Sequence, residues 1–329
     1  MRLITNYSHP VSLAGTPESD AARRDPLRVA AVQHHWVPDA EEMRELLAGG
    51  IAQAAAEGAA IVFLPELTLS RYPADRRPTG TPSDLAEDLE TGPTRAFAAE
   101  QARKHGIYVH ASLYQRDEAG EEHTDGRGFN TAIVVGPDGR LAGKTHKLHI
   151  PITEGYFEDK YFREGPAADA YPVYSPDGLH DLQLGLPTCW DEWFPELARV
   201  YSLEGAELLA YPTAIGSEPD HPDFDTQPLW QQVIVGNGIA NGLFMVVPNR
   251  WGSEGLIEFY GMSFISDPYG RLLVQAPRSE DAVLVADLDL DQCADWLTLF
   301  PFLTTRRPDA YAPLTTLTSK RAGLGSVEA

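Results

Sequence analysis

Apolar and polar positions along the chain fall into two periods, one of about two residues and one of about 3.6. Residues 28–33 (RVAAVQ) and 60–64 (AIVFL) are short, nearly unbroken apolar runs rich in Val and Ile, the pattern of strands covered on both faces. Between them, residues 40–57 repeat Leu and Ala at helical spacing, which predicts a strand-helix-strand unit. Residues 94–105 predict a second helix and residues 108–114 and 130–136 two more strands. The turn Pro137-Asp138-Gly139-Arg140 predicts a hairpin.

The second half continues in the same alphabet. Strands are predicted at residues 182–186, 207–211, 244–248, 259–266 and 282–287, helices at 195–204 and 230–241, and a turn at 267–270. Strand and helix alternate first and hairpins enter later, so a mixed sheet layered against helices is expected, within one α/β domain over residues 27–314. The sequence shows neither an internal repeat nor an interdomain linker. Residues 1–26, with Pro10, Gly15, Pro17 and a mixed-charge run over 18–25, carry no period and read as an N-terminal extension or mobile arm, the fold starting near Leu27. Residues 315–329, small and polar, read as a loose C-terminal tail.

Composition narrows the function. A chain of 329 residues that is 43% hydrophobic and 22% charged can bury a full core and is not a disordered or fibrous protein. Its 26 Lys and Arg against 48 Asp and Glu give a net charge of −22, which repels phosphate and anionic lipid and argues against nucleic acid or a membrane as partner. Two cysteines are too few for a disulfide framework or a Cys-based zinc site and fit a reducing compartment. No apolar run reaches the roughly 18 residues of a membrane span, and the first 26 lack a signal-peptide core. The expectation is a cytoplasmic protein acting on a small molecule.

One cysteine stands where a nucleophile can be built. Cys189 follows an apolar strand and precedes Trp190-Asp191-Glu192-Trp193-Phe194-Pro195, with Pro195 at the first turn of a helix. Free N–H groups at such a junction favour the thiolate. The plainer alternative is a buried structural thiol, the role assigned to Cys293. No histidine stands beside an obvious catalytic turn. The candidates for base and oxyanion partner are Glu66, in Leu64-Pro65-Glu66-Leu67 after the second strand, and Lys147, in Lys144-Thr145-His146-Lys147-Leu148-His149. His34-His35 with His9, and His146 with His149, lack an acidic third ligand and make no metal site. Residues 220–225 form a polar loop after Pro219, placed to fold over a pocket mouth, and no glycine-rich phosphate or dinucleotide loop is present.

Glu66, Lys147 and Cys189 stand in the order and approximate spacing of the Glu-Lys-Cys triad of the nitrilase, or carbon-nitrogen hydrolase, superfamily, which the chain resembles. Residues 155–162, 211–219, 248–250 and 259–264 are similar to the N-carbamoylputrescine amidohydrolase branch, and the likeness covers roughly residues 27–313. The resemblance implies a four-layer αββα sandwich with no metal and no organic cofactor, assembled as a homodimer or larger homo-oligomer. It makes Glu66 the general base, Cys189 the nucleophile, and Lys147 with the Trp190 N–H the oxyanion donors. Glu158, matching the family's second glutamate, orients Lys147. One departure is Pro187-Thr188 before the nucleophile, where relatives carry apolar residues. Pro187 removes a strand donor and predicts a bulge or an early strand end.

Relatives that cleave N-carbamoyl amino acids tend to place arginine just after the nucleophile, where this chain has Asp191-Glu192-Trp193. An acidic residue there selects an amine, so Glu192 is expected to face the substrate ammonium, with Trp193 and Tyr156 walling its chain. Alternatively Glu192 caps the helix or pairs with Arg199. Asn249 and Arg250 are candidates for support of the site or for a dimer contact. The expected function is hydrolysis of an N-carbamoyl amine, foremost N-carbamoylputrescine. The rivals are an N-carbamoyl-β-alanine or N-carbamoyl amino acid hydrolase, a small-amide hydrolase, and a noncatalytic nitrilase-like binding protein.

Overall fold

The computed structural model describes residues 1–8, 23–118 and 125–316. In chain order its elements are β1 (Arg2–Asn6), β2 (Leu27–Gln33), α1 (Ala40–Ala56), β3 (Ile61–Phe63), α2 (Pro93–His105), β4 (Tyr108–Gln115), β5 (Phe129–Val135) and β6 (Leu141–His146). There follow β7 (Val173–Tyr174), β8 (Leu184–Gly185), α3 (Pro195–Leu203), β9 (Leu208–Ala210), α4 (Gln227–Asn241) and β10 (Phe244–Val247). The last are β11 (Trp251–Glu254), β12 (Ile257–Tyr260), β13 (Phe264–Ser266), β14 (Leu272–Gln275), β15 (Ala282–Leu288) and α5 (Gln292–Leu299). Local chemistry fixes the helix ends. Asp39 accepts the N–H groups of Glu41 and Glu42 at the start of α1, Pro93 and Pro195 open α2 and α3, and Gly106 and Gly242 end α2 and α4 in the left-handed conformation.

Seven strands form one sheet in the order β1-β15-β2-β3-β4-β5-β6, and six form another, β14-β13-β10-β9-β8-β7. Period-2 alternation stacks them. Val29, Ala31, Leu284 and Ala286 of the first sheet meet Leu208, Ala210, Phe244 and Val246 of the second. The opposite faces carry Val32, Val62 and Val283 onto Met43, Leu47 and Ile51 of α1 and Phe97 of α2, and Leu209, Met245 and Val247 onto Leu197 and Tyr201 of α3 and Trp230 of α4. The result is the expected four-layer αββα sandwich. Because every central strand is covered on both sides, its sequence reads as a continuous apolar run.

The two halves repeat a topology that the sequence conceals. β2, β3 and β4 run parallel with α1 and α2 as crossovers, and β5 and β6 then return as hairpins. Likewise β8, β9 and β10 run parallel through α3 and α4 before β13 and β14 return. Packing constrains only polarity at each position, so the repeat persists with no residue-level likeness.

Three sequence expectations change. The fold does not start near Leu27: Arg2–Asn6 pairs in parallel with β15 and forms the sheet edge, with Met1 and Leu3 packed on the α1 side of the sheet. Beyond it, Arg23 and Arg24 are tied to Asp289, Asp291, Asp295 and Glu207. Residues 9–22, including Pro10, Gly15, Pro17 and His9, lie outside the described residues, as does the tail from 317 onward. The strand expected over 259–266 is two strands, because Gly261 and Met262 take positive φ (61° and 60°) and turn the chain from the β11-β12 hairpin into the main sheet. A Cβ at Gly261 would lie 2.4 Å from the Arg278 carbonyl oxygen, so no other residue fits that turn without movement. The strand expected over 182–186 ends at Gly185, the early stop that Pro187 predicts.

Removal of residues 1–6 tests the first correction. If β1 belongs to the sheet, the truncated protein melts several degrees lower, at roughly 2–4 °C per kcal/mol lost for a chain of this size. A melting temperature equal to that of the full chain would return these residues to the status of an arm.

Candidate active site

Three chain segments deliver polar side chains to one end of the sandwich. Glu66 sits in the turn after β3, Lys147 directly after β6, and Cys189 four residues after β8. The turn after β3 is held from within: Leu67 adopts φ 50°, the Thr68 hydroxyl donates to the Pro65 carbonyl, and the Ser112 hydroxyl accepts the Leu67 N–H. Cys189 also takes a left-handed backbone, φ 40°, with its N–H donating to the Pro212 carbonyl at 3.1 Å. A β-carbon strained in this way is common where a side chain must project from a sharp turn.

The centre of the site is a buried ammonium. Lys147 Nζ donates to Glu66 Oε1 at 2.9 Å and to Glu158 Oε2 at 2.6 Å, and all three side chains are fully buried. Asn130 on β5 donates from Nδ2 to Glu66 Oε1 at 2.6 Å and accepts the Lys147 N–H on its carbonyl, so one residue fixes both. Tyr72 donates its hydroxyl to Glu158 Oε1 at 2.8 Å. Burial opposes the Lys147 charge, but Glu158 and Glu66 outweigh it and hold its pKa well above the ordinary value. One cation cannot neutralise two carboxylates. Burial, reinforced by Glu66, raises Glu158 to about 7 despite Lys147.

Cys189 belongs to the same group, since Glu66, Lys147 and Glu158 all act electrostatically on it. The expectation that a helix start would favour its thiolate is corrected. Burial and then the Glu66 charge push the thiol well above its usual pKa, Lys147 opposing them, so the resting group is SH. Glu66 Oε2 is buried with no hydrogen-bond partner and is free to receive a proton. The N–H of Trp190, in the first turn after Thr188, makes no backbone hydrogen bond among the described residues.

A cavity of about 190 Å³ adjoins these groups, lined by Cys189 and Glu158 and by Trp190, Trp193, Tyr156 and Ile215. Glu218 lines it as well, with its carboxyl raised by burial. The segment between Glu218 and Thr226 joins two lining residues, which puts the 220–225 loop at the rim. No Lys or Arg lines the cavity among the described residues.

Glu192 is not where the sequence placed it. It is fully buried and absent from the cavity wall. Oε1 accepts the Trp230 indole N–H of α4 at 2.6 Å, its carbonyl accepts Asn237 Nδ2, and Oε2 has no partner. Arg199, the alternative partner, donates to the Ala240 carbonyl instead. The physical reason is the short 3-10 turn over Cys189–Trp193, which sends residue 192 inward toward α4 while Trp190 and Trp193 face the cavity. Asp191 is the residue that sequence reading passed over. Its carboxylate accepts the N–H groups of Thr188 and His149 and His149 Nδ1, pinning the nucleophile turn to the strand exit that carries Lys147. Asn249 holds the Ile215 wall from both its N–H and carbonyl sides, and Arg250 is buried within this chain rather than at a surface. A cue for Glu218 existed in the Gly216-Ser217-Glu218-Pro219 segment, but only the fold shows that it lines the cavity.

The carbon-nitrogen hydrolase family model matches residues 28–297. The chain belongs to the carbon-nitrogen hydrolase family. It is 35% identical to a citrullinase of Francisella tularensis over 87% of this chain and 96% of that protein. To an N-carbamoylputrescine amidase of Arabidopsis thaliana it is 34% identical, over 81% and 88%. Among solved structures, a carbon-nitrogen hydrolase from Helicobacter pylori G27 superposes with a TM-score of 0.78 at 31% identity, covering 88% of this chain and 99% of that one. An amidase from Nesterenkonia sp. AN1, captured with acrylamide added at its active site cysteine, superposes with a TM-score of 0.66 at 25% identity, covering 88% and 99%. This carbon-nitrogen hydrolase is therefore an amide-hydrolysing enzyme of the nitrilase fold. Among its described residues no helix is long and apolar enough to cross a membrane.

Burial pushes the Glu192 carboxyl well above the usual range, which makes it a neutral group in the folded protein. Glu192→Gln, which keeps an acceptor for Trp230, is therefore expected to melt and turn over like the parent. Glu192→Arg places an unpaired charge there, costs about 3–5 kcal/mol and lowers activity on every substrate alike. Melting curves beside assays on an N-carbamoyl amine and an N-carbamoyl acid decide it. A stable Arg variant with reversed preference would restore Glu192 to the substrate site.

Proposed function

We propose that the protein hydrolyses the carbamoyl group of a small N-carbamoyl amine, with N-carbamoylputrescine as the best-fitting substrate. The observation that carries this reading is a cavity in which an acidic residue, Glu218, is the only charged side chain on the wall besides the catalytic-end Glu158, among the described residues. An ammonium at the far end of the substrate gains from Glu218, whereas a carboxylate meets two acidic groups and no cation. Trp190, Trp193 and Ile215 suit the aliphatic stem between. Relatives named citrullinase and N-carbamoylputrescine amidase share the ureido group in their names' substrates. Citrulline adds an α-carboxylate, for which this wall has no cationic partner among the described residues.

The proposed reaction balances within the cluster. Cys189 Sγ attacks the carbamoyl carbon as its proton passes to Glu66 Oε2, and the tetrahedral oxyanion takes a third N–H of Lys147 and the N–H of Trp190. The C–N bond to the terminal nitrogen breaks, that nitrogen takes the proton from Glu66, and ammonia leaves. Glu66 then draws a proton from water, whose oxygen attacks the thioester and frees the thiol. The carbamic acid so released loses carbon dioxide to give the amine. Glu158, sharing Lys147 with Glu66, keeps the ammonium aimed between them.

Ammonia release from a panel of N-carbamoyl amines, N-carbamoyl acids, simple amides and nitriles tests the substrate class. Highest kcat/KM on an N-carbamoyl acid would overturn it. Cys189→Ala and Glu66→Gln are each expected to abolish turnover with the fold intact, and Lys147→Met to lower kcat by about 100-fold or more. Glu218→Gln is expected to raise KM for N-carbamoylputrescine while leaving an uncharged N-carbamoyl alkylamine unaffected, and equal losses on both would remove the ammonium contact.

A further inference from the structure

The polar residues behind the site form a closed circuit. Arg250, in the segment leading into β11, is fully buried and donates from Nε and Nη2 to the Glu66 carbonyl, at 3.1 and 2.8 Å, and from Nη2 to the carbonyls of Leu67 and Ser70 at 2.6 and 2.7 Å. Its Nη1 meets both oxygens of Glu254, also buried, at 2.8 and 3.0 Å. Glu254 Oε2 accepts the N–H of Tyr72 at 2.8 Å. Tyr72 reaches Glu158 through its hydroxyl, Glu158 reaches Lys147, and Lys147 reaches Glu66, the residue whose backbone Arg250 holds.

We infer that the Arg250–Glu254 pair, acting through Tyr72, is the positioning device that sets the separation of the two carboxylates flanking Lys147. The planar guanidinium suits this, because it places donors on several carbonyls in fixed relative directions, which the single ammonium of a lysine does not. An arginine with every donor direction spent inside the protein is also unavailable to substrate, so its effect passes through other groups. The β11-β12 hairpin, which belongs to neither main sheet, thereby gains a function: it carries the clamp. Groups facing Glu158 are Lys147, Glu66, Tyr72, Cys189 and Tyr156, and of these only Tyr72 and Lys147 hydrogen-bond to its oxygens. The Tyr72 hydroxyl stabilises the ionised form of Glu158, so its removal raises the Glu158 pKa further above about 7.

The inference rests on the thiol-hydrolase reading, and its test uses a readout that does not. Tyr72→Phe, Glu254→Gln and Arg250→Lys are compared with the parent by melting temperature, by kcat and KM for N-carbamoylputrescine against pH, and by the rate of iodoacetamide alkylation at Cys189 against pH. Tyr72→Phe is expected to lower kcat on the order of 10-fold with KM nearly constant and to move the acid limb of the kcat profile upward, while the alkylation limb moves downward because a neutral Glu158 no longer holds the Cys189 thiol up. Arg250→Lys is expected to lower kcat by about 100-fold, and added guanidinium should partly restore an Arg250→Ala protein. Failure of the parent to cleave any carbamoyl compound would sink the substrate reading, while the alkylation profiles still judge the clamp. If Arg250→Lys does not fold, Tyr72→Phe decides. Folded variants with lower melting temperature but parental kcat and parental pH limbs would reduce the pair to a structural brace and overturn the inference.

Discussion

A single ammonium buried between two carboxylates governs the structure around it. Lys147, Glu66 and Glu158 are fully buried, and removing the ammonium would leave two carboxylates uncompensated at a cost of several kcal/mol. The surroundings are built to that constraint. Asn130 supplies Glu66 with a second donor, Tyr72 does the same for Glu158, and each comes from a different part of the chain. The cluster still carries one negative charge more than positive, and burial, reinforced by this surplus, raises the Glu158 carboxyl and keeps the Cys189 thiol protonated. A nucleophile of that kind cannot rest as an anion. In the proposed reaction it loses its proton as it attacks, so Glu66 and Cys189 act in one step.

The sandwich is what makes such a cluster possible. Two sheets closed face to face by Val29, Leu284, Leu208 and Phe244 leave no freedom for one sheet to slide on the other, so turns leaving β3, β6 and β8 hold their relative positions. Asp191 then locks the turn of one sheet to the strand exit of the other through four donors. The parallel strands explain why these turns gather, since crossover topology sends all their carboxyl ends to one edge of the layer. The cavity walls combine two acidic residues, Glu158 and Glu218, with aromatic and aliphatic surface.

How much of this was written in the sequence divides along physical lines. Central strands and helices were legible because burial on both faces leaves an apolar run and a one-sided helix leaves a 3.6-residue period, and both survive with no partner in view. Glu66, Lys147 and Cys189 were legible as a set because the order and spacing of the three segments match a familiar pattern. β1 was not, since Arg2–Asn6 is a short edge strand with no fully buried residue, and it looks like an arm until β15 lies beside it. The division at Gly261 was hidden because two strands of different sheets abut in one apolar stretch.

The sequence alone determined which residues have the chemistry, and the tertiary structure alone decided which way each one faces. Glu192 and Glu218 show the difference: both are acidic residues near apolar, aromatic segments, yet a 3-10 turn sends Glu192 to Trp230 while the chain after Tyr211 brings Glu218 to the cavity. The direction of a side chain depends on the φ and ψ of its own turn and on neighbours tens of residues distant, and neither leaves a periodic trace. Tyr72, Asn130, Asp191 and Glu254 escaped for the same reason. Each is an ordinary polar residue in sequence, and becomes necessary only when folding buries a charge beside it that water can no longer satisfy.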